Sequence, residues 1–210
     1  PEAVSGVTVD TGIEEDVQRA IEKTIEVMGE PNGLINAAGG NKGKSAFVDV
    51  DIALFNEVIH MNLLAGLVIP TKYIAAYWIK NNIKGTIINL TSMGSYVPLS
   101  GVWAYDAAKS ATLNLTMATA KEFAPYGIRV NAIAPGFFIG HQNKALLIKD
   151  EATGELTDRG KAVIAHTPFG RFGKHEELAG ATIFLMSDAA SGFITGVSLP
   201  VDGGYLVQNI

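Results

Sequence analysis

Tyr105 and Lys109 stand four positions apart in "WAYDAAKSA", a stretch made mostly of helix formers. At i and i+4 of a helix their β-carbons lie roughly 5–6 Å apart on one face, so an ammonium can sit beside a phenol. A neighbouring positive charge favours the phenolate and lowers a pKa that is about 10 in free tyrosine, which would make Tyr105 a proton donor and acceptor near neutral pH. The same spacing also occurs wherever two helical neighbours merely touch at a surface.

To hold that pair the chain must supply a helix and a sheet for it to pack on, and the hydrophobic pattern provides both. "GVTVD" (6–10) alternates and is β-branched, which predicts a strand. It runs into "TGIEEDVQRAIEKTIEVMG", where Val17, Ile21, Ile25 and Met28 recur at helical spacing before Gly29 closes the helix. "GLINAAGG" reads as a short strand, and Asp51 opens a helical region to about residue 80, interrupted or kinked near Asn62 and Pro70. "GTIINLTS" reads as a strand, 104–125 as a helix, "IRVNAIAPG" as a strand, 175–187 as a helix and "GVSLPVDGG" as the last strand. Buried apolar strands alternating with helices predict an α/β fold, a doubly wound parallel sheet covered on both faces. Ligands bind such sheets at the carboxyl ends of the strands. The positions there are Asp10 and Thr11, "NAAGG" at 36–40, "TSMGS" at 91–95 and "APGFF" at 134–138, residue types that also punctuate ordinary loops.

With 210 residues, 48% of them apolar, and a mean hydropathy of +0.23, the chain can bury a sizeable core and reads most simply as one domain. Sixteen basic against 21 acidic residues give a net charge of −5 with no basic run, so a small-molecule partner is expected and a nucleic acid is not. The absence of cysteine excludes a disulfide framework, a thiolate nucleophile and a cysteine metal site, and it fits a reducing cytoplasm. The four histidines are scattered, so no metal site is expected. "GLVIPTKYIAAYWI" is apolar, but Pro70 and Lys72 are expected to interrupt it short of the roughly 20 residues a membrane span needs, leaving it as core with no membrane partner. The opening "PEAVSGVTVDTGIEED" lacks the basic and apolar regions of a signal peptide.

Taken together, "LINAAGG", "IINLTS", "YDAAKSA" and "IRVNAIAPG" resemble, in order, the NNAG turn, the serine-bearing strand, the YxxxK helix and the PG loop of the short-chain dehydrogenase/reductase family. Ser92 precedes Tyr105 by 13 positions, as is usual in that family, and Asn62 in "HMNLLAG" matches its active-site asparagine. The resemblance implies a Rossmann-like NAD- or NADP-dependent oxidoreductase. Tyr105 would then give or take the proton, and Ser92 would polarise the carbonyl, with Ser95 a less well spaced rival. Lys109 would lower the Tyr105 pKa and hold the nicotinamide ribose, and Asn62 would hold a water leading from Lys109 to solvent. A residue capping backbone groups freed by a helix kink is the other reading of Asn62. For the cofactor, the resemblance carries Asp10 to the adenine, with Thr11 beside it. Asn36, Ala38 and Gly39 go to the turn by the ribose, and Pro135, Gly136 and Phe138 to the nicotinamide side. Gly140 stands where the family has a threonine that anchors the carboxamide.

The family's glycine-rich TGxxxGxG turn would bind pyrophosphate at a helix N-terminus, and no such segment occurs in the sequence. The expectation is a fold lacking its first strands, with two strands and a helix, and the residue that chooses NAD or NADP, ahead of Pro1. The segment 137–171 reads as a lid insertion. With "APGFF", "QNKALL", "LTDRGK" and "HTPFGRFGK" it resembles the D-mannonate oxidoreductase (D-fructuronate reductase) branch. Beside that branch the loop between "GGNKGK" and "SAFVDVD" is short. Asn41, Gln142, Asn143, Lys144 and Arg171 are candidate donors to a sugar-acid carboxylate and its hydroxyls. The other reading of Lys144 is a solvated charge and of Arg171 a loop anchor, the two readings of Arg171 being equally open. Other carbonyl substrates, such as a ketogluconate, a steroid or a 3-oxoacyl thioester, would keep the catalytic set and change the lid, whereas a non-catalytic binding or assembly module would have no need of it. The resemblance also implies a homotetramer or homodimer.

Overall fold

In the computed structural model, which describes residues 4–99, 101–140 and 143–208, the alternating stretch 6–10 is irregular and not the expected strand. No described strand pairs with it, and alternation without a ladder partner leaves the backbone groups nothing to bond. Helix α1 (Glu14–Met28) follows with Glu14, Glu15 and Asp16 in its first turn, where the helix dipole favours acids, and Gly29 closes it at φ +87°. After β1 (Gly33–Asn36), the Asp51 carboxylate caps α2 (Ile52–Ile59) by accepting from the Leu54 amide. A π-helical stretch, His60–Val68, then leads straight into α3 (Ile69–Asn81).

These three segments form one continuous helical run of 30 residues, long and apolar enough to cross a membrane by length and composition. Pro70 therefore does not interrupt it. Pro70 falls where the π stretch passes into α3, so its missing N–H lies at a change of hydrogen-bond register, and the irregularity near Asn62 is a widened π turn. Ile74, Ala75 and Trp78 of α3 are buried inside the protein.

Strand β2 (Thr86–Leu90), helix α4 (Trp103–Phe123) and strand β3 (Arg129–Pro135) come next. A small unit of α5 (Lys144–Leu147), the antiparallel pair β4 (Ile148–Asp150) and β5 (Glu155–Leu156), and α6 (Asp158–His166) then precedes α7 (Glu177–Met186), α8 (Asp188–Ser191) and β6 (Ser198–Val201).

The main sheet is parallel throughout, in the order β1-β2-β3-β6. Successive residues of β2 feed opposite faces, as a period of two requires. Ile87 joins Ile74, Trp78, Ala120, Ile128 and Val130 under α3 and α4, while Ile88 joins Ile133 and Leu185 under α7. Each such side chain contributes roughly 1.5–3 kcal/mol on burial. A polar ladder crosses the first face. Asn36 Nδ2 donates to Thr71 Oγ1 and Asn89 Oδ1, and Asn89 Nδ2 donates to Thr116 Oγ1, all at 2.9 Å. Helices on both faces of a parallel sheet are the doubly wound α/β arrangement.

Candidate active site

The chain leaves β2 through Leu90 into an N-capped single turn that sets Ser92. Its Oγ accepts from the Gly94 amide at 3.2 Å, and Ser95 Oγ closes the box by accepting from the Ser92 amide. Ser95 Oγ also donates to the Lys109 carbonyl at 2.7 Å, stitching this turn to α4. Ser95 is thus committed to structure, while Ser92 lines a cavity of about 920 Å³ together with Tyr105 and Lys109. The cavity opens at the carboxyl ends of β1, β2 and β3, and Gly39, Pro135 and Gly136 form part of its wall.

Lys109 is buried, its Nζ donates to the Leu90 carbonyl at 2.8 Å, and it lies 5.7 Å from the centre of the Tyr105 ring. The YxxxK spacing therefore brings phenol and amine to one cavity. Their acidities differ from the expected pattern. Burial pushes the Tyr105 phenol above its ordinary value, with the Ser92 hydroxyl acting in the opposite direction and the Asp106 carboxylate raising it further. Burial also lowers the Lys109 amine to about 8. The physical reason is that both groups lose water together, and desolvation disfavours the charged form of each.

Asn62 is buried in the π stretch. Its Nδ2 donates to the Val58 carbonyl at 2.9 Å and the Gly40 carbonyl at 2.7 Å, and its Oδ1 accepts from the Gly40 amide at 3.0 Å. The side chain serves a carbonyl freed by the widened turn and fixes the loop after β1. That loop passes close: a Cβ on Gly39, at φ +154°, would fall 2.6 Å from Asn62 Oδ1 and 3.7 Å from Lys109 Nζ. Ala38 approaches through its carbonyl, for which Gly66 leaves room.

Other predicted site residues lie elsewhere. Asn36 spends its amide hydrogens in the polar ladder within the sheet and does not line the cavity. Asp10 and Thr11 form the turn before α1, with the Asp10 carboxylate accepting from the Gly12 amide at 2.8 Å. Thr11 lines a separate apolar hollow with Val17, Ile21 and Pro70. Phe138 faces a small hollow of about 100 Å³ beyond the cavity wall, packed on Gly173. Arg171 lines that same small hollow. Its two terminal nitrogens donate to Glu177 at 2.7 and 2.8 Å, holding the Glu177 carboxyl down to about 2.

Asn41 and Asn143 do line the large cavity, Asn143 bracing the backbone of Phe138 and Gly140 through its amide. Lys144 pairs with Glu151 at 2.6 Å, and Gln142 lies outside the described residues. Two cations in the cavity wall, Lys44 and Arg159, were not among the sequence candidates. The signal for Arg159 lay in "LTDRGK". A threonine three positions before glycine fits an N-cap, and it would have put Arg159 in the first turn of a helix.

Comparison with known proteins bears on what this arrangement does. The family model described as Enoyl-(Acyl carrier protein) reductase matches residues 1–206. An uncharacterized oxidoreductase of Haemophilus influenzae is 41% identical over 188 residues, covering 82% of this chain and 65% of that protein, so the chain spans about two thirds of this relative's length. A crystal structure from Haemophilus influenza with bound NAD, provisionally named a D-mannonate oxidoreductase, superposes with a TM-score of 0.88 at 35% identity, over 98% of this chain and 78% of that one. A gluconate 5-dehydrogenase from Burkholderia cenocepacia, in complex with NADP and tartrate, gives a TM-score of 0.83 at 32% identity, over 95% and 74%.

Proposed function

The chain belongs to the short-chain dehydrogenase/reductase family of NAD(P)-dependent oxidoreductases acting on CH–OH groups, and from that premise we propose that the whole protein interconverts D-fructuronate and D-mannonate. The observation that carries the chemical part is the convergence of Ser92, Tyr105 and Lys109 on one cavity at the strand ends. The likeness to a protein provisionally named for mannonate and to a gluconate dehydrogenase supports a sugar acid as substrate.

The residues present fit the ribose and nicotinamide end of NAD or NADP. Gly39 leaves a space that any Cβ would fill beside Lys109 Nζ, and Tyr105, Lys109, Pro135 and Gly136 line the adjoining wall. When bound, that cofactor supplies the hydride donor or acceptor. The other tasks fall to the chain itself. Tyr105, kept protonated at neutral pH by burial, gives its phenolic proton to the oxygen of the reduced carbonyl. Ser92 Oγ donates a hydrogen bond to that same oxygen and fixes it beside the phenol. Lys109, still mostly an ammonium at pH 7, favours the phenolate that remains. Asn62 positions the Gly39–Gly40 backbone. Segment 137–171 acts as a lid whose α5 and α6 form the wall opposite the strand ends. A homotetramer or homodimer is part of the same proposal, supported by the exposed Ile183, Phe184 and Phe193, and so is a cytoplasmic location.

The test compares kcat/KM of the whole protein for D-fructuronate, 5-ketogluconate and D-fructose, with NADH and with NADPH. A clear preference for D-fructuronate is expected. Preference for 5-ketogluconate would move the substrate to another sugar acid, and equal rates on acid and neutral sugar would refute the sugar-acid reading.

A further inference from the structure

Four charged residues line the large cavity: Lys44, Lys109, Asp158 and Arg159. Lys109 is bound to the Leu90 carbonyl beside Tyr105, and Lys44 is exposed, lying along Gly101. The Asp158 side chain points to solvent, with Lys161 3.8 Å away. Arg159 is different. It is half-buried, and among the described residues no carboxylate lies within ion-pair distance of it.

Its mount is firm. The Thr157 hydroxyl accepts from the Gly160 amide at 3.0 Å and donates to the Leu146 carbonyl at 2.7 Å, while the Thr157 amide donates to the Leu147 carbonyl at 3.0 Å. A Cβ on Gly160 would come 2.3 Å from that Leu147 carbonyl, so α6 sits flush on α5 and the backbone of Arg159 is held in the cavity wall. Arg129 and Arg171 offer no such free fork. Arg129 is spent on Asp188 and the Leu185 carbonyl, and Arg171 on Glu177.

We infer that Arg159 is the specificity residue that receives the carboxylate of the sugar acid, at the wall facing Ser92 and Tyr105. This rests on the sugar-acid reading above. A planar guanidinium without an internal partner matches a carboxylate with two parallel hydrogen bonds, and bringing an acid into a partly dry cavity is costly unless such donors meet it. Asn41, which spends one amide hydrogen on the Gly43 carbonyl, remains for hydroxyls, while Asn143 is taken up by the backbone of Phe138 and Gly140. Arg171 takes no part in recognition.

The experiment measures kcat and KM for D-fructuronate and D-fructose in the parent protein and in Arg159→Ala, Arg159→Lys, Arg171→Ala and Lys44→Ala, with thermal unfolding as the check on folding. Arg159→Ala should lower kcat/KM for D-fructuronate on the order of 100-fold, chiefly through KM, and leave D-fructose within a few-fold. Arg159→Lys should recover part of the loss, and Arg171→Ala and Lys44→Ala should keep the acid preference. If the parent prefers the acid and Arg159→Ala keeps that preference, Arg159 is not the receptor and the sugar-acid reading stands. If the parent shows no acid preference, both fall.

Discussion

The cavity has two walls of different make. One consists of strand ends and the helix behind them: Gly39, Ser92, Tyr105, Lys109 and Pro135, each a short step from a buried strand or the long helix α4. The other consists of the small unit 144–166, with Leu147, Thr157 and Arg159 carried on two short helices and an antiparallel pair. The first wall holds groups that move protons: Ser92 and Lys109 are buried, and loss of water raises the Tyr105 phenol and lowers the Lys109 amine. The second holds a half-buried cation on a surface element. A site of this kind separates chemistry from choice of substrate, and the two should respond to mutation separately.

The largest expected effect is on the chemical wall. Tyr105→Phe should lower kcat by about 10²–10⁴-fold, the range for losing a general acid, with cofactor affinity measured by calorimetry nearly unchanged. Ser92→Ala should cost about 10²–10³ in kcat, as removal of an oxyanion donor does. Ser95→Ala should instead lose about 1 kcal/mol of stability, the usual worth of a hydrogen bond, and keep its turnover. The reverse pattern in steady-state kinetics would make Ser95 the polarising hydroxyl.

Lys109 gives a prediction in stability. Its amine is lowered from 10.5 to about 8, so between those values the unfolded chain binds more protons than the native one, and stability rises with pH. The burial cost is fully present below pH 8, on the order of 3 kcal/mol. Lys109→Met should therefore be more stable than the parent at pH 7 while losing activity. Denaturant titrations from pH 7 to 10 should show the gap closing; a gap independent of pH would contradict the lowered amine. The smallest effect belongs outside both walls. Arg171→Ala should release the Glu177 carboxyl upward from about 2 and shift the thermal midpoint slightly, with acid-to-neutral discrimination intact.

The contrast also explains what the sequence could tell. Tyr105 with Lys109 and Ser92 after "IINL" are legible because helical spacing and strand ends are local properties. Pro70 misled because its cost depends on the hydrogen-bond register around it, and here it falls where a π stretch passes into an α-helix. The strand expected at 6–10 failed for want of a pairing neighbour, which no local pattern reports. Asn36 matched a ligand-side motif but was claimed by Thr71 and Asn89, residues far away in sequence. Arg171 and Arg159 look alike as sequence. Only the fold shows that one meets Glu177 and the other faces the cavity.

The most direct test of this division is the ratio of kcat/KM for D-fructuronate to that for D-fructose in Tyr105→Phe. Both rates should fall by about 10²-fold or more while their ratio stays at the parent value, because Tyr105 serves the carbonyl and not the carboxylate. Turnover near that of the parent, or a collapse of the ratio, would contradict it.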